Sequence, residues 1–240
     1  MKKLLVLLLT FACFTAASAE DIELQAAMDQ EDFENLTRHI GSMITFDPNA
    51  PADPLGTIGF DVNVETTLNI VDDDADHWVN ATDGGDASQS ILTYRLHVRK
   101  GLPGKFDIGA MYSKAVNSNF QTIGVSLQYA ILEGTVATPA LSVRGTYSQL
   151  MGNDDLSAYN GSVGAFISKG FLMLKPYGGV SAGLTHMSED SDKVDLDSAS
   201  EVTYKGIVGL QVVPFPFLRI NAEAGFSDIT QFSLKAGFRF

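Results

Sequence analysis

Gln231-Phe-Ser-Leu-Lys-Ala-Gly-Phe-Arg-Phe240 closes the chain with a strict alternation. Phe232, Leu234, Ala236, Phe238 and Phe240 fall on one parity, and polar residues or glycine fall on the other. In an extended strand, successive side chains point to opposite faces. This segment therefore has one greasy face and one face carrying Lys235 and Arg239, and its length suits a tilted bilayer crossing. The same period of two recurs upstream to about residue 57.

The first such strand places Ile58, Phe60, Val62, Val64 and Leu68 against Asp61, Asn63, Glu65 and Asn69. The second sets Leu92, Tyr94, Leu96 and Val98 against Thr93, Arg95, His97 and Arg99. Eight further segments follow, around residues 106–113, 123–129, 141–147, 159–169, 180–184, 202–212, 218–226 and 231–240. The connections between them alternate. Short turns are expected at 100–105, 132–135, 169–172 and 213–216. Longer polar connections are expected at 71–90, 151–158 and 187–200, with modest ones near 115–119 and 227–230. That asymmetry predicts an all-β, ten-stranded, antiparallel up-and-down transmembrane barrel with both ends at the short-turn, periplasmic side. Eight or twelve strands satisfy the same parity. Pro139 and Pro176 fall near the turn-side starts of strands, where a missing donor is tolerated.

Residues 1–19 read as a cleaved signal peptide. Lys2 and Lys3 precede an apolar run from Leu4 to Phe14, and Ala17-Ser18-Ala19 offers a cleavage site. Cys13, the one cysteine, falls inside it, so the mature chain has no disulfide. Residues 20–56 read as a periplasmic helix followed by a linker. Phe33, Leu36, Ile40 and Met43 form an apolar stripe, Asp29 is a cap and Gly41 a stop. Pro48, Pro51 and Pro54 favour an extended connection to the barrel of residues 57–240. The helix is expected either at the barrel mouth or as a lumen plug, its polar face of Glu31, Asp32, Glu34 and Arg38 then meeting lumen arginines.

The chain carries 16 Lys+Arg against 29 Asp+Glu, a net charge of −13, which argues against nucleic-acid binding. If the apolar parity faces lipid, the lumen face contains Asp61, Glu65, Arg95, His97, Arg99, Asp107, Arg144, Lys205, Arg219, Glu223, Lys235 and Arg239. Both signs occur on neighbouring strands, Glu65 beside Arg95 and Glu223 beside Lys235. They imply a mutually neutralising interior or a narrow solute pore. Inward glycines, including Gly109, Gly124, Gly179 and Gly209, leave room that water or protein must fill.

With these patterns on the page, the chain resembles the small outer-membrane β-barrel proteins of Gram-negative bacteria. The resemblance implies outer-membrane lipids and lipopolysaccharide as surroundings, and small solutes as possible cargo. It also implies that Leu234, Phe238 and Phe240 form a signal for the barrel-assembly machinery. No cofactor, metal site or catalytic residue is expected, and the favoured role is a narrow channel or an envelope structural protein.

The rival readings are a rim enzyme or an adhesin using acidic external loops. His186, Ser188 and Glu201 are similar to the His-x-Ser plus acid of outer-membrane lipid A deacylases. Asp72–Asp76 with His77, and Glu189–Asp197, offer the residue types of outer-membrane proteases, or a cation site. Trp78 is expected to pack in the first external loop or to contact a partner.

Overall fold

The structure, a computed structural model, describes residues 21–82, 88–153 and 155–240; the leader expected at 1–19 lies outside them. Ten strands form a closed barrel in which each pairs with its sequence neighbours and the last pairs with the first. They are β1 (Phe60–Ile70), β2 (Ser90–Leu102), β3 (Phe106–Ala115), β4 (Gln121–Glu133) and β5 (Ala140–Met151). β6 (Leu156–Ser168), β7 (Leu174–Glu189), β8 (Ala199–Phe215), β9 (Leu218–Phe226) and β10 (Thr230–Arg239) complete the barrel. All pairings are antiparallel, so the ten-strand expectation holds. Among the described residues, two helices accompany them: α1 (Gln30–Ile44) before the barrel and the single-turn α2 (Asp76–Val79) between β1 and β2.

The alternation fixes the register, because a one-residue slip would turn every apolar side chain inward. Val64 lies opposite Leu96 on one side and Ala236 on the other. Val64, Leu96, Val125, Val163 and Val208 are half or more exposed although they are apolar, and they form a belt around the outside. A closed sheet leaves no unpaired edge, so such a belt is stable in hydrocarbon. Tyr94, Tyr112, Tyr147, Tyr159 and Phe232 project outward toward the long-connection end. Phe106, Tyr129, Phe217 and Phe240 do so at the short-turn end. These two rings match the aromatic girdles of membrane barrels.

The seam closes tightly. Asp61 to Ile70 pair with Thr230 to Arg239, and the Phe60 and Phe240 backbones exchange two hydrogen bonds of 3.0 and 2.9 Å. Phe238 and Phe240 stay exposed on the outer face. Ile58, expected to begin β1, instead lies before it and is 91% exposed. Between Leu55 and Gly59 the chain turns, with the Gly59 amide donating to the Gly56 carbonyl, and pairing starts only at Phe60.

A charge on the belt should cost the most near the middle of a strand. Val64→Arg is expected to destabilise the refolded barrel by roughly 2–4 kcal/mol, read from denaturant unfolding in lipid vesicles. Ile70→Arg, at the end of the same strand, should cost less in the same experiment.

Candidate functional site

The interior holds the site, and it is built from the segment before β1. Asp29 caps α1 by accepting from the Asp32 amide at 2.9 Å. The helix expected from residue 20 thus starts at Gln30. Upstream the chain is extended: Ile22 bridges Thr82, and the Glu23 and Gln25 amides donate to the Ala81 and Asn80 carbonyls. Asp21, Asn153 and Asp155 tie the same stretch to the other long connections.

α1 therefore sits inside the barrel at the end of the long connections. Of the two expected placements, mouth or plug, the helix takes the plug, entered from the long-connection end, while the barrel's own ends, Phe60 and Arg239, both lie at the short-turn side. The reason is apolar burial. Phe33, Leu36, Ile40, Met43 and Ile44 pack with Leu24, Trp78, Ile91, Leu150, Leu156 and Met187 in one cluster. At the short-turn mouth the stripe would have faced the polar half of the wall. Gly41, read as a helix stop, is instead the point of closest approach. A Cβ there would lie 2.0 Å from Thr185 Oγ1 on β7. The helix runs three residues past it, to Ile44.

The polar face of α1 meets connections rather than lumen arginines. Asp32 accepts from Asn80 at 2.9 Å, and Arg38 pairs with Glu201 at 2.8 Å. His39 faces α2. The Trp78 indole donates to His39 Nδ1 at 2.9 Å, and His77 Nε2 lies 3.3 Å from the same atom. Burial, the adjacent His77 and then Arg38 hold the His39 imidazole down at about 4. His77 is lowered too, mainly by burial.

Beyond Ile44 the chain descends through the lumen as an extended strap, with Asn49 in the left-handed region at φ 47°, where asparagine is tolerated. The wall grips this strap through its backbone. Arg95 donates to the Met43 carbonyl at 2.8 Å, Lys235 to Pro48 at 2.6 Å, Asn221 to Asn49 at 2.9 Å and Arg144 to Ala50 at 3.2 Å. Tyr177 donates to the Asn49 side chain at 2.6 Å. Asp47 lies 3.5 Å from both Arg144 and Lys205, and Asp53 pairs with Lys175 at 2.7 Å. The hydrogen bonds to Met43, Pro48, Asn49 and Ala50 satisfy buried donors that would otherwise cost about 1–3 kcal/mol each.

The remaining wall charges pair among themselves. Arg239 grips Asp61 with two bonds of 2.8 and 3.0 Å, and Arg99 bonds Asp107 at 3.0 Å. Glu65 lies 3.6 Å from Arg95 and 3.1 Å from His97. The expected partnership of Glu223 with Lys235 is not formed, since Lys235 is taken by Pro48. Glu223 is buried opposite Gly209. Arg219 turns to the carbonyls of Pro216 and Leu218 at the short-turn mouth. The room beside the glycines is filled by protein: the Tyr177 ring overlies Gly209 and the Phe166 ring overlies Gly179.

The rim constellations do not assemble. His186 and Ser188 face outward, where His186 Nδ1 meets Ser200 at 2.9 Å and Ser188 meets Ser157 at 2.8 Å. Glu201 points inward to Arg38, away from both. The carboxylates of Asp72, Asp73 and Asp74 come within 4.8 Å of one another, as exposed acids do without an ion. Trp78 is fully buried and belongs to the core.

No protein-family model matches the chain, and no curated protein does. Among solved structures, the chain is similar to the attachment invasion locus protein Ail of Yersinia pestis, in a complex with the heparin analogue sucrose octasulfate. That match has 15% identity over 77% of this chain and 99% of the other, with a TM-score of 0.37. The KdgM porin matches at 12% identity over 75% and 99%, with a TM-score of 0.38. The N-terminal barrel domain of Pseudomonas aeruginosa OprF matches at 13% over 77% and 99%, with a TM-score of 0.36. At these scores the likeness adds nothing to what the strand pairing itself shows.

Two outcomes are expected here. Gly41→Val should lever α1 from β7, raising solvent exposure of Trp78 in fluorescence quenching; an unchanged quenching curve would contradict the close contact. A histidine held below its unfolded value favours the neutral folded form. Its contribution is present above 6.5 and is lost as pH falls toward about 4. Trp78 fluorescence of the folded barrel should therefore change as pH falls through about 4, and His39→Gln should remove most of the change.

Proposed function

We propose that this protein is an outer-membrane barrel that rests closed, plugged by its own N-terminal segment. The observation that carries this reading is continuous occupation of the lumen. α1 fills the long-connection half with apolar side chains, and residues 45–54 fill the other half with backbone held by wall donors. The apolar belt and aromatic rings anchor the barrel among lipids, with the short turns in the periplasm and the long connections outside. Phe238 and Phe240, displayed at the seam, suit the assembly-signal role that the resemblance implies. The lumen-lining residues act first as partners of the plug and of each other.

The acidic connections at the outer face favour contact with lipopolysaccharide through bridging divalent cations over direct binding of its phosphates. Outward-facing His186 and Ser188, bonded to other partners, lack the relay that rim catalysis needs.

Planar-bilayer recording tests the plug. The full chain from residue 20 onward should give no steady conductance, and the barrel lacking residues 20–55 should give discrete open-channel steps. Large steady currents from the full chain would defeat the proposal. So would a sealed, folded deletion variant.

A further inference from the structure

We propose that the polar half of the lumen is an anion-selective path, with fixed cations masked at rest by residues 45–54 acting as a built-in anionic occupant. The inference rests on the plug reading and gives it a solute class. Its basis is the origin of the counter-charges. Arg144 and Lys205 have one carboxylate within 4.0 Å, that of Asp47, and Lys175 has one, that of Asp53. Neither acid belongs to the wall. Lys235 is held by the Pro48 carbonyl, and the second guanidinium nitrogen of Arg95 by the Met43 carbonyl. The strap thus presents two carboxylates and the carbonyls of Pro48 and Ala50 to four wall cations, and the last turn of α1 serves Arg95.

Shift that strap, and the wall retains its internal pairs, Arg239–Asp61, Arg99–Asp107 and Arg95–Glu65. Among the described residues, Arg144, Lys205 and Lys175 are then left with no carboxylate within 4.0 Å, and Glu223 alone of the wall acids still acts on Arg144 and Lys205 at longer range. Unpaired cations in a narrow channel with apolar walls behind it attract anions and exclude cations. Arg144 is held in place by Gln128 at 2.8 Å and stacks on the Phe166 ring at 4.1 Å, so its charge is fixed in the path and does not swing aside. The groups it now meets are a carboxylate and a carbonyl, which points to small carboxylate-bearing solutes as the class that fits.

The test uses the full chain with its strap loosened. Asp47→Lys places a third cation beside Arg144 and Lys205 and should repel the strap from the wall. Heat-modifiable gel migration reports whether the barrel is folded; Asp53→Lys, nearer the mouth, serves if the first variant does not fold. In a potassium chloride gradient, the reversal potential of the loosened barrel should show chloride preferred over potassium by about threefold or more. Adding Arg144→Ala should lower that preference. Carboxyfluorescein should bind the loosened barrel and not the wild type, with affinity falling about tenfold on Arg144→Ala.

A folded variant that conducts without selectivity, or prefers potassium, overturns the proposal. So does one that neither conducts nor binds the dye. A variant that binds the dye but passes no current supports the anion site and tells against the strap as the only barrier. A wild-type barrel that conducts would sink the plug reading, and its own reversal potential would then decide the selectivity.

Discussion

Everything inside this barrel depends on the meeting of wall cations with the backbone of a single extended strap. Taking an ion out of water costs several kcal/mol, even after relaxation, unless partners replace the lost hydration. The wall places Arg95, Arg144, Lys205 and Lys235 at membrane depth, where the surrounding lipid offers none. Wall carboxylates serve some of these groups, the last turn of α1 serves Arg95 through Met43, and the strap serves the rest through Asp47, Pro48 and Ala50. The three prolines suit this task. They keep the strap extended and remove amide donors that would compete for acceptors, so its carbonyls remain free to face the wall.

The lumen therefore has two compartments with different chemistry. Toward the long connections, β2 and β5 to β7 turn apolar residues inward: Ile91, Leu150, Leu156 and Met187. Toward the short turns, charged and amidic groups surround the rings of Phe166 and Tyr177. α1 belongs to the first compartment and the strap to the second, and the change falls at Ile44 and Thr45. There the Thr45 hydroxyl bonds both the Gly41 carbonyl and Asn160. Phe46 then seats its ring edge-on to His97, carrying apolar contact one residue into the polar half.

The strands were legible in the sequence because a half-lipid, half-lumen wall has to alternate, and Asp61-Val-Asn-Val-Glu65 can satisfy that pattern in only one register. Turn positions followed from the same logic. The placement of α1 was not legible. Its stripe announced that it needed cover, but the cover comes from the ends of β5 to β8. There an inward Ala158 or Met187 extends a run that reads simply as more strand. Gly41 carried the wrong local message, since a glycine serving close helix-wall contact looks the same as one ending a helix. Glu201 was read with its neighbours on the outer rim, although its parity places it inside, opposite Thr185. The strap carries no periodicity at all, so its hydrogen bonding to Asn221 and Arg144 had no sequence signal beyond its prolines.

The β1–β10 seam has a consequence for how such a molecule comes to exist. A chain whose residue 21 lies beyond one rim while its first strand starts at the other passes through a ring made of hydrogen bonds. Either that end is fed through a finished hoop, or the hoop shuts around it. The hoop's interior is occupied by Arg144, Tyr177, Phe166 and the side chains they touch, leaving no clearance for the bulk of Phe33 and Leu36. Encirclement is the route the geometry allows. Zipping Phe60–Ile70 to Thr230–Arg239 is then the same event as trapping the cargo. Once closed, the segment is retained as a bolt is retained by its nut, by shape and sequence of assembly as much as by affinity.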